Sequence, residues 1–277
     1  MENLTLRELR ARHAALLIDA YGVLVDGGGA LPGAAEAVAS LEREGTPWLL
    51  VTNDASRLPE RNAERLRGLG IPVRAERILS SGMLLAPYFA AEGLEGAACV
   101  VLGSPDSREY VRRAGGALVD AAETEGCDVL VVADDAGFEF LATMERVLTG
   151  LVRAIERGRA PRLLLPNPDL IYPARGGAYG FTAGTMAAML ERALELVFPG
   201  AAPRFTPLGK PSARIFEAAL SALGTRDAVM LGDQIHTDIA GASRAGLASA
   251  LLLTGITSRE ALQRSEIRPT YVLEGMG

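Results

Sequence analysis

The feature that most limits how this chain can fold is an alternation of short, almost wholly apolar runs with longer amphipathic stretches. The runs are "AALLID" (14–19), "PWLLVTN" (47–53), "ACVVLGS" (98–104), "DVLVVAD" (128–134), "RLLLPNPD" (162–169), "AVMLGDQ" (228–234), "SALLLTG" (249–255) and "TYVLE" (270–274). Several are nearly continuous in Val, Ile and Leu, so they read as strands covered on both faces. Between them, "GAAEAVASLEREG", "PERNAERLRGLG", "FEFLATMERVLTGLVRAIERG", "GTMAAMLERALEL" and "PSARIFEAALSALG" have helical patterning. Gly45, Gly70, Gly158 and Gly224 stand where helices should stop. The alternation predicts an α/β protein with a doubly wound parallel sheet, whose ligands sit beyond the carboxyl ends of the strands.

Polar residues single out that edge. Asp19, Thr52 with Asn53, and Asp233 each end an otherwise apolar run. At 277 residues the chain has room for one large or two modest domains. Residues 84–181 carry strands and helices of their own and lie between the connections "SSGMLLAP" and "YPARGGAYGFTAG". They read as a domain inserted into a core made of residues 1–83 and 182–277.

Composition excludes some partners. A net charge of −6 with no evident basic patch argues against nucleic acid and anionic membrane surfaces; "RELRARH" reads as one turn of solvated helix. No apolar run approaches the ~18 residues of a membrane helix, and the first fifteen residues lack a signal-peptide core. Cys99 and Cys127 read as buried, reduced thiols. A cytoplasmic location is expected.

Four strings, in order and at the ends of alternating elements, carry the chemistry: "DAYGVL" (19–24), "VTN" (51–53), "LGKPS" (208–212) and "GDQIHTD" (232–238). Together they resemble the four motifs of the haloacid dehalogenase superfamily. "LPG" after the first motif, "SS" at 80–81 and "NPD" at 167–169 extend the resemblance to the subclass IIA phosphatases, which include p-nitrophenyl phosphatase-like and phosphoglycolate or pyridoxal phosphate phosphatase-like enzymes. The resemblance covers essentially the whole chain. It implies a Rossmann-like core with an inserted α/β cap of type two, subclass A.

A carboxylate nucleophile approaching a phosphoryl dianion needs cations to offset repulsion. Asp19, Asp233 and Asp238 in one pocket would also repel one another, and an all-oxygen donor set favours Mg²⁺. By resemblance, Asp19 is the nucleophile and a metal ligand, Asp233 a second ligand, the backbone carbonyl of Tyr21 a third, and Asp238 holds a metal-bound water or the loop. Thr52 and the backbone N–H of Asn53 would hold phosphoryl oxygens, and Lys210 would neutralise developing charge. "VVADDAGFEF" places Asp135 as the cap's substrate-loop carboxylate, beside Asp134 and Phe138, with Ala133 where the family usually has glycine. Asn167 and Asp169 fall at the cap–core junction.

The pattern breaks at Tyr21. The family's phosphatases usually have a second aspartate there, which protonates the leaving oxygen and then activates water. A phenol with pKa near ~10 is a poor base at neutral pH, and losing a positioned acid or base costs about 10² to 10⁴ in rate. Asp54 could compensate, or could simply cap the following helix. The reading is a Mg²⁺-dependent hydrolase of small, sugar phosphate-like phosphomonoesters, forming an aspartyl-phosphate, with slow turnover, acting on a small phosphorylated metabolite and dimerising through the cap. Two alternatives are a 2-haloacid dehalogenase, whose first motif also reads "DAYG", and a non-catalytic phosphate-ester binding or regulatory protein. His236 reads as a variable loop position, His13 as structural and Trp48 as packing.

Overall fold

The computed structural model describes residues 2–174 and 178–277; Arg175, Gly176 and Gly177, in the glycine-rich connection noted above, lie outside the described residues. A seven-stranded parallel sheet runs in the order Glu2–Asn3, Tyr271–Leu273, Ala248–Leu252, Ala228–Gly232, Ala15–Ile18, Trp48–Thr52, Ile78–Ser80. Ala15–Ile18 is the strand at which the order reverses, its two neighbours being Ala228–Gly232 and Trp48–Thr52. Its register pairs Ile18 with Leu231 on one side and with Leu50 on the other. Asp19, Thr52 and Asp233 therefore leave three adjacent strands at one edge, the crevice where open α/β sheets bind ligands.

The expected strands and helices form close to their predicted bounds. Gly45, Gly70, Gly158 and Gly224 all have positive φ (65°, 86°, 70° and 67°), which lets the chain turn off each helix at no steric cost. The stretch read as one turn of solvated helix is longer, Leu6–Arg12, with a Thr5/Glu8 capping box and with Leu6 and Leu9 buried. Trp48 is buried and its ring N–H donates to Glu42 at 3.0 Å, a packing role as expected. His13 contacts Asp227 and Tyr271 and is structural.

A second parallel sheet, ordered Thr206–Pro207, Arg162–Leu165, Val129–Val132, Ala98–Leu102, Ala117–Val119, forms the inserted unit. Its extent corrects the expected boundary at residue 181. The helix Ala183–Val197 buries Met186, Leu190 and Leu194 against Val100, Val132 and Leu165 of this sheet, and Thr206–Pro207 pairs with Arg162–Leu165. The insert thus runs on to Pro207. Sequence shows that this helix has an apolar face but not which sheet covers it, and a two-residue strand leaves no periodic signal.

The insert is tied to the core through the loop after "VTN". Ser104 and Ser107 hydroxyls donate to the carbonyls of Ser56 and Ala55 (2.6 and 2.9 Å), Leu58 N–H donates to Asp106 (3.0 Å), and the Tyr110 hydroxyl donates to the Arg57 carbonyl (2.7 Å). Among the described residues no helix is long and apolar enough to cross a membrane.

Candidate active site

Asp19 follows a strand whose four residues are all buried, and is itself 6 % exposed. Its Oδ1 lies 2.6 Å from Lys210 Nζ, and the same ammonium lies 2.7 Å from Asp238 Oδ1. Lys210 is held by its backbone: its N–H donates to Asn53 Oδ1 (2.7 Å), and Asn53 Nδ2 donates to the Lys210 carbonyl (3.0 Å) and to Asp169 Oδ1 (3.0 Å). The Asn53 side chain is thus a clamp on the lysine, a role sequence reasoning did not foresee.

Asp233 and Asp238 come from one turn. Asp238 sits in the π-helical turn Ile235–Ile239 that opens the helix Ala240–Arg244, where its Oδ2 accepts from the Gln234 N–H (3.0 Å). Asp233 Oδ2 accepts from the Ile256 N–H (2.7 Å). Gly22, Gly232 and Gly255 leave the room these carboxyls occupy, since a Cβ at any of them would collide with Asp233 or Asp238. His236 is exposed in the same turn.

A cation fits this group. One oxygen from each of Asp19, Asp233 and Asp238 lies within 4.8 Å of the others. Asp233 Oδ1 is buried with no hydrogen-bond partner, and Asp238 Oδ1 faces Lys210 as an ion pair without a directed hydrogen bond. Buried carboxylate oxygens left unpaired are costly, and an oxygen donor set of this size suits a hard divalent ion. The protonation equilibria agree. Burial pushes Asp19 up to about 7, with Lys210 pulling it down and Asp238 pushing it further up. Burial and then the Asp238 and Asp19 charges raise Asp233 well above the carboxylate range. Burial lowers the Lys210 pKa, but Asp19, Asp238 and Asp169 outweigh it and hold the ammonium charged.

A cavity of about 290 Å³ opens over Asp19. It brings together the expected Tyr21, Thr52, Asn53, Asp54, Asp135, Asn167 and Asp169, while Lys210, Asp233 and Asp238 are buried behind Asp19. Asp135 is exposed on the insert, and Asp134 beside it is pushed up to about 7 by burial and by the neighbouring Asp135 carboxyl. Asn167 Oδ1 accepts from the Asp169 N–H (3.1 Å), and Phe138 packs on the insert's core. A larger cavity of about 410 Å³, beside Gly82 and Tyr110, contains none of the motif residues.

Asp54 is not the helix cap that one reading expects, because the helix begins at Pro59 and its N-cap is Leu58. Asp54 Oδ1 instead accepts from Ser56 N–H and Oγ (2.9 and 2.5 Å), and Oδ2 pairs with Arg57 Nη1 (3.1 Å). A carboxylate engaged on both oxygens is poorly placed to supply the missing acid or base.

Tyr21 has partners that sequence reasoning missed. Its hydroxyl accepts from Arg65 Nη2 (2.8 Å), the Arg65 guanidinium lies 5.2 Å from its ring centre, and Tyr172 meets the ring edge-on at 6.2 Å. Burial raises the phenol's pKa further above its ordinary value, against the pull of Arg65. No local signal marks Arg65, which sits in "PERNAERLRG" among other charges of an apparently solvated helix face.

Comparison with known proteins gives the family. The haloacid dehalogenase-like hydrolase family matches residues 16–117, and a HAD-hydrolase-like family matches residues 207–277. A Bacillus subtilis protein named 5'-nucleotidase YutF is 30 % identical, covering 94 % of both chains. Dihydroxyacetone phosphatase of Corynebacterium glutamicum is 29 % identical over 94 % of this chain and 88 % of its own. A crystal structure from Cytophaga hutchinsonii, named as a possible sugar phosphatase of the HAD superfamily, superposes with a TM-score of 0.86 at 29 % identity, covering 100 % of this chain and 98 % of its own. The chain belongs to the haloacid dehalogenase-like hydrolases. The Corynebacterium and Cytophaga proteins carry the names of phosphatases and the Bacillus protein that of a 5'-nucleotidase, and the Cytophaga structure shares the fold over the whole chain.

Proposed function

We propose that the protein is a magnesium-dependent hydrolase of small phosphomonoesters, working through an aspartyl-phosphate on Asp19. The observation that carries this is the Lys210 ammonium, fully buried and within 2.7 Å of both Asp19 and Asp238. A buried cation beside a carboxylate at a cavity floor offsets the repulsion between that carboxylate and an incoming phosphate.

Asp19 attacks phosphorus while Lys210 balances the charge on the phosphoryl oxygens. The Thr52 hydroxyl, whose oxygen accepts from the Asp54 N–H at 3.1 Å, keeps its own proton free to donate to the phosphate. Asp19, Asp233, Asp238 and the Tyr21 carbonyl would hold Mg²⁺, which when bound screens the carboxylates from one another and from the phosphate. The acidic insert loop at Asp134 and Asp135 favours a leaving group with hydroxyls over one with further phosphates. That agrees with relatives named for sugar phosphates, dihydroxyacetone phosphate and nucleotides.

The test is phosphate release from a panel of phosphomonoesters with and without Mg²⁺, with Asp19→Asn as control. Metal-dependent release that the variant abolishes is the expected result. No release from any ester would refute the reading, and halide release from 2-chloropropionate in chelator would replace it with the dehalogenase.

A further inference from the structure

With Tyr21 where an acid is expected, the cavity has to find its proton donor elsewhere. Asp54 is engaged on both oxygens, and the Tyr21 phenol, which burial raises further above its ordinary value, is a poor group to take a proton from water near neutrality. Asp134 and Asp135 line the cavity from the insert, and among the described residues no hydrogen bond ties either carboxyl to the motif residues. Asp169 differs from all of these. Its Oδ1 accepts from Asn53 Nδ2 at 3.0 Å, and its Oδ2 has no hydrogen-bond partner among the described residues.

Asp169 is also held in place. Its N–H donates to Asn167 Oδ1 (3.1 Å), and its carbonyl accepts from the Gly184 N–H (3.1 Å) and the Thr182 hydroxyl. Gly184 has no room for a Cβ against this carbonyl, so the close approach requires glycine. Asn53 joins Asp169 to the backbone of Lys210, whose ammonium contacts Asp19, so acid and nucleophile are registered through one amide.

We propose that Asp169, arriving from the "NPD" turn of the insert, is the general acid and base of this site in place of residue 21. The proposal rests on the phosphomonoesterase reading. As Asp19 attacks and the bond from phosphorus to the leaving oxygen breaks, the proton on Asp169 Oδ2 passes to that oxygen and the alcohol leaves. The Asp169 carboxylate then takes a proton from the water that attacks the phospho-aspartate. The bond from phosphorus to Asp19 breaks, releasing phosphate and restoring both carboxyls. Burial pushes Asp169 up to about 6, against the pull of Lys210 and the Asn53 hydrogen bond and with a further push from Asp238, which suits a group that must give and take a proton near neutrality. Because the donor sits on the insert, acid catalysis is available only when insert and core are docked.

The experiment compares wild type with Asp169→Ala on glycerol phosphate, whose alkoxide needs a proton to leave, and on 4-nitrophenyl phosphate, whose phenolate does not. The variant should lose about 10² to 10⁴ in kcat on the alkyl ester. On the aryl ester it should give a burst of nitrophenolate, with phospho-Asp19 trapped by acid quench. Formate, which fits the space left by the removed carboxyl, should restore turnover. Asp169→Asn, which keeps the acceptor for Asn53, should behave alike without the rescue, and thermal melts of both variants report folding. Equal losses on both esters, with no burst and no rescue, would overturn the proposal and leave Asp169 a positioning residue; unchanged kinetics would also overturn it. Wild type releasing no phosphate in the same assay would instead refute the phosphatase reading beneath it.

Discussion

Lys210 Nζ lies 2.6 Å from Asp19 Oδ1, with both side chains all but excluded from solvent, so each is the other's main means of staying charged. Lys210→Met should therefore lower kcat by about 10² to 10³, the cost of losing one preorganised charge-stabilising donor. It should also destabilise the metal-free protein by about 3 to 5 kcal/mol, as breaking a buried pair does. Steady-state kinetics and urea unfolding check the two effects separately.

The metal-free protein should lose stability as pH rises from about 4 to about 7. Asp19 is raised to about 7 and Asp233 is also raised well above the carboxylate range. The native state therefore keeps protons that an unfolded chain, with aspartate pKa near ~3.9, has released. Stability from these groups is complete below the unfolded pKa and is lost as pH climbs through the folded one. Mg²⁺ should reverse the loss, so thermal melts should show a larger magnesium-induced rise at about pH 7.5 than at about pH 5. A rise of the same size at both would contradict the carboxyl cluster as the binding site.

Gly255 lies against the Asp233 carboxyl so closely that a methyl group has no place. Gly255→Ala should cost about 1 to 3 kcal/mol of stability through overpacking. Because Asp233 must move, the magnesium concentration for half-maximal activity should rise while Gly45→Ala, at an open site, leaves it unchanged.

Tyr21→Asp should restore turnover in the Asp169→Ala background. A carboxyl two residues beyond the nucleophile returns the acid usual in this family. The cost is the loss of the Tyr21 hydroxyl's hydrogen bond with Arg65, about 1 kcal/mol of stability. Steady-state kinetics on an alkyl phosphate give the answer: no recovery, with the double variant folded, would mean that residue 21 no longer points where an acid is needed.

Tyr110→Phe removes one of the hydrogen bonds tying the insert to the loop after "VTN". Since that loop carries Asp54 and Arg57 into the cavity, KM should rise several-fold with kcat changing less. A fall in kcat at unaltered KM would argue against a role in substrate capture.

The sequence by itself determined the sheet, the four motifs and the carboxyl cluster. Strand ends such as Asp19 and Asp233 are legible because a lone carboxylate closing an apolar run has few reasons to be there. Helix stops such as Gly224 are legible because only glycine takes positive φ freely. Tertiary structure alone decided which sheet covers the helix Ala183–Val197, that Asn53 clamps Lys210, that Arg65 occupies the Tyr21 hydroxyl, and that Asp54 is spent on Ser56 and Arg57. Each of these turns on which partner a side chain meets across space, and Asn53 and Lys210 stand 157 positions apart in the chain. Local patterning records a residue's own surroundings along the chain, whereas the choice between a free and an occupied carboxylate is made by neighbours that only the packed fold brings near.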